Sequence, residues 1–112
     1  MTSVTFNVLH SALDGLAQRQ RQIADNIANV NTPGYQAGRV QFEEELSRSA
    51  ARGSGDVRAT TGLSLEPTRT DGSNVNLDTE TLSNVDTVLR YQFAANAMDG
   101  QFSGVRTALR GS

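Results

Sequence analysis

Residues 6–35 read FNVLHSALDGLAQRQRQIADNIANVNTPGY, and they contain the strongest structural signal in the chain. Its apolar side chains alternate at intervals of three and four residues, which is the heptad pattern of a helix that packs along one seam. The one polar member of the pattern is Gln20, which either sets the register of a buried seam or is half exposed. We predict a helix over residues 3–30 with the packing seam Phe6, Leu9, Leu13, Leu16, Gln20, Ile23, Ile27 and Val30.

Amides and a Pro-Gly pair mark the end of this helix. Residues 29–35 read NVNTPGY, and the proline disfavours the helical conformation for Thr32, the residue before it. Pro33 followed by Gly34 fits the two central positions of a type II turn. The chain is therefore predicted to change direction here.

A second long helix is predicted over residues 78–110. Asp78 can accept hydrogen bonds from the free amides of the first turn, while Leu77 and Leu82 occupy the positions of a hydrophobic staple. Arg106 and Arg110 fall in the last turn, where the helix dipole favours cations. The apolar stripe predicted for this helix shifts to four-residue steps midway and consists of Leu82, Val85, Leu89, Phe93, Ala97, Phe102, Val105 and Leu109.

Residues 31–77 are predicted to form a turn and a loop-rich insert between the helices. The part around Val40, Phe42 and Leu46 could be a short helix or an extended segment, and its periodicity does not decide between them. Residues 47–74 are rich in Ser, Arg, Gly and Thr, which is typical of a loop or a partly disordered segment. Residues 63–65 could form a brief strand if a partner chain supplied a second strand.

Together these elements predict a mainly α fold in a single domain, residues 1–112. Two long N- and C-terminal helices form a coiled-coil-like pair, and a loop-rich, partly extended or disordered insert joins them. Large apolar residues are scarce for a chain of 112 residues. We expect packing against other chains to complete the burial of the two helices.

The composition excludes several classes of function. Twelve acidic residues outweigh ten basic ones, for a formal charge of −2, so nucleic acid is not an expected partner. The chain has no cysteine, which removes thiolate metal sites and cysteine nucleophiles. No run of 18 apolar residues and no N-terminal signal sequence is visible, so direct membrane insertion is not expected either.

The residues that carry most enzyme chemistry are sparse. His10 has no second His or Cys with which to share a metal ion, and a place at the rim of the helix pair explains it. Glu43, Glu44 and Glu45 are best explained as a solvated acidic patch, so a hydrolase that uses Glu44 ranks last among the alternatives. Residues 71–80 are rich in oxygen ligands but fail the spacing of a calcium loop. We predict no catalytic, metal-binding or cofactor-binding residues, no cofactor and no enzyme.

Residues 24–37, ADNIANVNTPGYQA, resemble the motif of the bacterial flagellar basal-body rod and hook proteins, in which an amide-rich helix end runs into Asn-Thr-Pro-Gly-Tyr. Residues 74–80, NVNLDTE, lead into a helix that carries Tyr91 and Gln92, and they are similar to the C-terminal part of that family. Thr81 departs from the family pattern, in which a Met commonly follows the Glu. The short insert looks like that of the proximal-rod members, since distal-rod and hook members carry large β-rich inserts.

This resemblance implies a structural subunit of the proximal rod of the flagellar basal body, contributing to the axial drive shaft and the export channel. It implies homo- and hetero-oligomeric assembly with proximal and distal rod proteins, rod-to-MS-ring junction proteins and the flagellar export apparatus. It also implies export beyond the inner membrane without a cleaved signal peptide. The assembly and turn motif would be Asn26, Asn29, Asn31, Thr32, Pro33, Gly34 and Tyr35.

A soluble two-helix adaptor is the alternative from another class. Such a protein would dimerise or bind a partner helix through its open seam. A stable, fully helical dimer of the purified chain would favour the adaptor, whereas a largely disordered monomer would favour a subunit that orders on assembly.

Overall fold

The computed structural model of this protein describes residues 3–111. Met1, Thr2 and Ser112, which belong to the predicted domain 1–112, lie outside the described residues. The elements in chain order are α1 (Ser3–Ala28), β1 (Gly38–Gln41), α2 (Glu43–Ala51), β2 (Thr60–Leu63) and α3 (Leu77–Leu109). Two long helices joined by a short, partly extended insert confirm the predicted mainly α fold.

The helices α1 and α3 lie against each other in antiparallel orientation. Near the start of α1, the ring of Phe6 meets the ring of Phe102 edge to face, with the centroids 5.6 Å apart. At the opposite end, the side-chain amide of Asn26 donates a hydrogen bond to the carboxylate of Glu80. The molecule is consequently narrow and elongated, measuring 64 × 25 × 14 Å. Within residues 3–111, neither long helix is apolar over enough of its length to cross a membrane.

The helix α1 ends two residues earlier than predicted. The backbone amide of Asn29 is shared by the carbonyls of Asp25 and Asn26, and the Asn29 side chain donates to the Asp25 carbonyl at 2.8 Å. These short-range hydrogen bonds tighten the last turn and stop the helix from continuing. Val30, the last residue of the predicted seam, therefore lies in the turn rather than in the helix.

The helix α3 begins one residue earlier than predicted, and its N-cap is Asn76 instead of Asp78. The Asn76 side chain accepts hydrogen bonds from the amides of Asp78 and Thr79, at 2.9 and 3.2 Å. The extended backbone of Asn76 directs its oxygen at these free amides, whereas Asp78 already lies inside the helix. Leu77 and Leu82 are both exposed, so the predicted staple does not form.

The insert is ordered by pairing within the chain, contrary to the expectation that its strand would need a partner chain. β1 and β2 are antiparallel, with Gly38 opposite Leu63 and Gln41 opposite Thr60. The second strand thus covers residues 60–63 rather than 63–65. Leu46 lies in a helix, α2, while Val40 lies in β1, which settles the ambiguity at the start of the insert. The local composition indicated a loop here because the stabilising contacts come from distant parts of the chain.

A small core lies where the insert packs on the two long helices. Its buried cluster consists of Leu16, Val40, Phe42, Leu46 and Ala94. The ring of Phe42 reaches the backbone of α1 at Gly15, where an added Cβ would lie 2.5 Å from Phe42 Cδ1. Glycine is needed at this position because any side chain would push the ring, and with it the insert, away from α1.

The predicted seam of α1 is buried to different degrees along its length. Leu16 and Ile23 are buried, Ile27 is exposed, and the half-buried members are Phe6, Leu9, Leu13, Gln20 and Val30. Half burial of Gln20 matches the plainer of the two interpretations of this residue. A different side of α1, which includes Ser11 and Gly15, contacts the insert.

The apolar residues of α3 lie on two opposite faces, whereas the sequence predicted one stripe. The inner face, turned toward α1 and the insert, includes Thr87, Ala94 and Met98 and continues through Phe102, Val105 and Leu109. The outer face consists of Leu82, Val85, Leu89 and Phe93, which are 71, 53, 61 and 78% exposed. The nine residues from Phe93 to Phe102 turn the helix by about 900°, or two and a half turns, which carries the stripe to the other side.

Replacing Gly15 with Ala is expected to destabilise the chain. The new methyl group would clash with Phe42, and overpacking a core costs about 1–3 kcal/mol, whereas Ala in place of Gly stabilises a helix by about 1 kcal/mol. Gly100→Ala is the matched control, because it also lies within a helix but a Cβ there meets nothing within 4 Å. Thermal denaturation followed by circular dichroism should give a lower midpoint for Gly15→Ala and a higher one for Gly100→Ala. Equal shifts would contradict the close packing of Phe42 on α1.

Candidate functional site

The side chain of Asn26 is the centre of a buried polar cluster at the end of α1. Its amide donates to the Gly38 carbonyl and to Glu80 Oε1, both at 3.1 Å. Its oxygen accepts from the Gly38 amide and from Gln22 Nε2, both at 3.0 Å. One fully buried side chain thus joins the end of α1, the first residue of β1 and the first turns of α3.

Glu80 is fully buried beside Asn26. Arg39 donates a hydrogen bond to Glu80 Oε1 at 2.7 Å and forms an ion pair with it. The other carboxylate oxygen, Oε2, has no hydrogen-bond partner among residues 3–111. Burial of a carboxylate is costly unless it is paired, so Arg39 and Asn26 are what allow Glu80 to occupy this position. The place of Glu80 near the positive end of α3 was predictable from the sequence, but its burial was not.

The turn after α1 has the conformation predicted for a Pro-Gly pair. Gly34 has a φ of 75°, and the Tyr35 amide donates to the Thr32 carbonyl at 3.2 Å, as in a type II turn. Thr32 Oγ1 donates to Asn29 Oδ1 at 3.0 Å. Residues 31–34 are exposed, and the Asn31 side chain makes no hydrogen bond to the part of the chain that the structure describes.

A second buried amide, Asn74, attaches the turn to the segment before α3. Its side-chain oxygen accepts from the Ala37 amide at 2.7 Å, and its side-chain amide donates to the carbonyls of Ser64 and Glu66. Its backbone amide donates to the Tyr35 carbonyl at 3.2 Å. The heptad and turn patterns did not reveal the role of Asn74, although the run of amides around it was an available signal.

Backbone contacts make the turn and the segment before α3 into one unit. The Gly34 amide donates to the Asp71 carbonyl at 2.8 Å. Arg69 donates to the backbone carbonyls of Val30 and Val75, which lie on the two sides of the junction. The end of the molecule at which α1 stops and α3 starts is therefore fixed by hydrogen bonds together with the burial of Ala37 and Val75.

Arg19 fastens α1 to the start of α2. Its guanidinium nitrogens lie 2.5 and 2.7 Å from the two carboxylate oxygens of Glu43, and Nη2 also donates to the Val40 carbonyl at 2.8 Å. The same guanidinium lies 4.9 Å from the centroid of the Phe42 ring. The hydrogen bonds from Arg19 lower the pKa of Glu43 because they favour the ionised carboxylate. The heptad pattern gave Arg19 no such role.

The remaining glutamates at the start of α2 are also occupied by arginines. Glu44 pairs with Arg48, while Glu45 pairs with Arg48 and Arg52. The hydrogen bond from Arg48 lowers the pKa of Glu45. The lowered pKa keeps the Glu45 carboxylate ionised, so Glu45 is unsuited to donate a proton in catalysis. His10 is exposed, and within residues 3–111 no three His, Asp or Glu side chains are grouped as metal ligands would be.

The structure brings the predicted turn motif together only in part. Asn26, Asn29, Thr32 and Tyr35 belong to hydrogen-bonded clusters, with the Tyr35 hydroxyl 3.5 Å from Asn26 Oδ1. Asn31 stands apart from them. The polar clusters position α1 and α3, and this positioning leaves the outer face of α3 directed at solvent.

Comparison with known proteins identifies the family. A family model described as flagella basal body rod protein matches residues 6–36, which span most of α1 and the turn. The flagellar basal body rod protein FlgB of Escherichia coli K12 is 32% identical to this chain, and the alignment covers 88% of each protein. The chain belongs to the flagellar basal-body rod protein family. FlgB of Borrelia hermsii is 30% identical over 96% of each protein, and FlgB of Bacillus subtilis is 27% identical over 97% of this chain and 95% of the relative.

This basal-body rod protein is a structural subunit that associates with other components of the rod. The sequence-based expectation of a proximal-rod subunit located in the flagellar basal body is thereby confirmed. The two-helix adaptor is set aside, because relatives in several bacteria align with nearly the whole chain under the same rod-protein description.

Replacing Asn26 with Leu is expected to destabilise this rod protein strongly. The change would leave the Gly38 amide and carbonyl and one carboxylate buried with fewer partners, at a cost of about 3 kcal/mol. Asn31→Leu is the control within the same sequence motif, since its side chain is exposed, and it should change stability by less than about 0.5 kcal/mol. Urea denaturation of the purified chain measures both. Similar midpoints for the two variants would show that Asn26 does not hold the junction.

The ion pair between Arg19 and Glu43 predicts a pH dependence of stability. The pKa of Glu43 is lower in the folded chain than in the unfolded chain, so its stabilisation is complete above the unfolded pKa and disappears as the pH falls through the folded pKa. Because the Glu43 side chain is 43% exposed, the contribution at pH 7 is about 0.5–1 kcal/mol. Glu43→Gln should therefore destabilise the chain at pH 7 and much less at pH 3.

Glu44→Gln is the control for this pair, because Glu44 is 88% exposed and lies 3.4 Å from Arg48. It should leave the unfolding midpoint almost unchanged at both pH values. A Glu43→Gln penalty that is as large at pH 3 as at pH 7 would mean that the charge of Glu43 is not what stabilises the contact.

Proposed function

We propose that the outer face of α3 is the surface through which this subunit packs against neighbouring rod subunits. The observation that carries the proposal is the exposure of four large apolar side chains on one side of a single helix: Leu82, Val85, Leu89 and Phe93. Isolated apolar residues on a surface are normal, but a contiguous row of them is typical of an interaction site. The half-buried α1 seam would complete the packed layer.

The energetics of burial support an interface of this kind. Burying a Leu, Val or Phe side chain stabilises an assembly by about 1.5–3 kcal/mol. Asp86 and Arg90 lie beside the outer face and form an ion pair at 2.9 Å, with both side chains more than half exposed. Charged pairs around an apolar centre are the usual arrangement at the rim of a protein interface.

The polar clusters would contribute stiffness. Asn26 and Asn74 fix α1, the insert and α3 in one arrangement through directional hydrogen bonds, and close packing resists sliding. In the proposed role, the turn motif keeps the outer face of α3 at a constant angle to α1. A drive shaft that transmits torque needs subunits whose contact surfaces do not move relative to each other.

The same proposal covers the specific binding partners of this subunit and the route by which it reaches the rod. We infer that the chain is exported in an unfolded state through the flagellar export apparatus and meets rod-to-MS-ring junction proteins and other rod subunits beyond the inner membrane. The small buried cluster around Phe42 supports this route, since little apolar burial has to be given up to keep the chain unfolded. The role includes no catalysis, and the glutamates of α2 are engaged with arginines.

Replacing Leu89 with Glu tests the outer face. Because Leu89 is 61% exposed, the variant should retain the helix content and the unfolding midpoint of the unmodified chain. Loss of about 2 kcal/mol at one subunit contact weakens it about 30-fold, and the loss recurs at every copy. We therefore expect cells that carry only this variant to lose rods and swimming motility.

Leu63→Glu is the matched control, because Leu63 is 65% exposed and lies in β2 rather than on the outer face of α3. This variant should swim normally. The variants are compared by swimming in soft agar and by electron microscopy of isolated basal bodies. Normal rods and motility with Leu89→Glu would refute the assignment of the outer face.

A further inference from the structure

The strand β2 forms one edge of the two-stranded sheet, and this edge is open. Its four residues, 60–63, are all exposed. The other edge of the sheet is covered by α1, because Gly38 in β1 exchanges hydrogen bonds with the Asn26 side chain and the Val40 carbonyl accepts one from Arg19. Of the two edges, the one formed by β2 is therefore free to pair with another strand.

The register of the sheet determines which backbone groups of β2 point outward. The Ser64 amide donates to the Ala37 carbonyl, so the hydrogen-bonded pairs between the strands fall at even-numbered residues of β2. The amides and carbonyls of Thr61 and Leu63 consequently point away from β1. Prolines and charged side chains commonly protect a strand edge from pairing, and residues 60–63 contain neither. The edge is thus suited to accept a further strand.

The residues of β2 are complementary to a second copy of themselves in antiparallel orientation. When Gly62 of one copy lies opposite Gly62 of another, Thr61 of each copy lies opposite Leu63 of the other. Both of these residues carry outward-pointing backbone groups, so the two copies can exchange hydrogen bonds in this register. A shift by one residue would place outward-pointing groups opposite inward-pointing ones. Gly62 leaves room at the centre, because even an added Cβ there meets nothing within 4 Å.

The same register brings opposite charges together. Arg58 and Glu66 lie four residues on either side of Gly62, so Arg58 of each copy comes next to Glu66 of the other. Both side chains are exposed, and neither forms an ion pair among residues 3–111. Opposite charges on neighbouring strands stabilise their pairing, and the symmetry forms this pair twice. A shift by two residues would keep the hydrogen bonds but separate the charges.

We propose that two unassembled copies of this chain pair edge to edge through β2 and form a dimer with a four-stranded antiparallel sheet. The contact is isologous, since each copy contributes the same residues, and it closes on two copies instead of extending along a rod. Its small size makes it weak, so the copies separate before they join a rod. Until then, the pairing keeps the open strand from binding other chains.

This dimer goes beyond the proposed function and is independent of it. It uses no residue of the outer face of α3, and it joins strands rather than helices. The α1 seam stays unpaired, unlike in the dimer that a two-helix adaptor would form.

A cysteine in place of Gly62 tests the register directly, because the natural chain has no cysteine. In the proposed dimer, position 62 meets its counterpart at a pair without hydrogen bonds, where the Cα atoms lie about 4.5 Å apart, within reach of a disulfide. Mild oxidation of the purified Gly62→Cys chain should convert most of it to a linked dimer on non-reducing gels.

Thr60→Cys is the matched control for this experiment. The residue is exposed and lies in the same strand, but in the proposed register the two copies of position 60 are about 13 Å apart along the strands. The control should therefore give at least tenfold less linked dimer than Gly62→Cys. Equal yields from the two variants would indicate chance collision and would overturn the proposal.

Charge reversal tests whether the flanking charges select a second copy. Arg58→Glu in the Gly62→Cys chain brings two acidic side chains together and should slow the linking several-fold. Adding Glu66→Arg exchanges the two charges and should restore most of the rate. Circular dichroism verifies that each variant keeps the helix content of its parent. An Arg58→Glu variant that links as fast as its parent would overturn the proposal.

Sedimentation of the natural, cysteine-free chain provides an independent measurement. The chain should show a monomer–dimer equilibrium that Arg58→Glu shifts several-fold toward the monomer, and a monomer at every concentration would overturn the proposal. Leu89→Glu should leave both this equilibrium and the linking of Gly62→Cys unchanged. Loss of linking in that variant would mean that the copies associate through the outer face of α3, and it would refute the pairing through β2.

Discussion

The structure depends on one constraint, which is that α3 carries apolar side chains on two opposite faces and a single chain covers only part of one of them. The inner face packs on α1 and the insert, with Ala94 and Met98 buried. The outer face, from Leu82 to Phe93, is left in water. Contact of four large apolar side chains with water is unfavourable in free energy, and burial of these side chains against another molecule removes that cost. An exposed apolar face of this kind is expected for a subunit that functions only within an assembly, as a member of the rod protein family does.

The face that α3 presents outward is selected by polar contacts at one end of the molecule. Asn26 and Asn74 each satisfy several backbone groups, and Glu80 brings the first turns of α3 into the same cluster. Hydrogen bonds are directional, so they fix the rotation of α3 about its axis more tightly than apolar contacts would. The apolar core is small, and the polar junction, together with Arg19 and Glu43, supplies part of the specificity.

The sequence was sufficient to predict the two long helices, the turn and the family, but not how the parts fit together. Heptad spacing identifies one apolar face of a helix, and it correctly located the α1 seam. In α3 it predicted a single stripe, because the two apolar faces contain the same residue types. The Pro-Gly pair determines its own backbone conformation and was predictable at Gly34. Local composition indicated disorder in the insert, because the contacts that order β1, α2 and β2 come from residues far away in sequence.

The polar cluster escaped prediction for a similar reason. Asn26 was expected to shape the turn, but its partners Gly38 and Glu80 are 12 and 54 residues away. No sequence pattern marks a glutamate that will be buried. The same is true of an arginine such as Arg19, which donates a hydrogen bond to the carbonyl of a distant strand residue. The predictions were correct where a local sequence rule applies. They were incomplete where contacts between residues far apart in sequence determine the structure.

Electron cryo-microscopy of isolated basal bodies, with this chain traced in the density, shows which surfaces of the subunit touch its neighbours. We expect the four outer-face side chains to lie in van der Waals contact with a neighbouring rod subunit in every copy: Leu82, Val85, Leu89 and Phe93. A rod in which these four side chains border solvent, while the subunits touch through other surfaces, would contradict it.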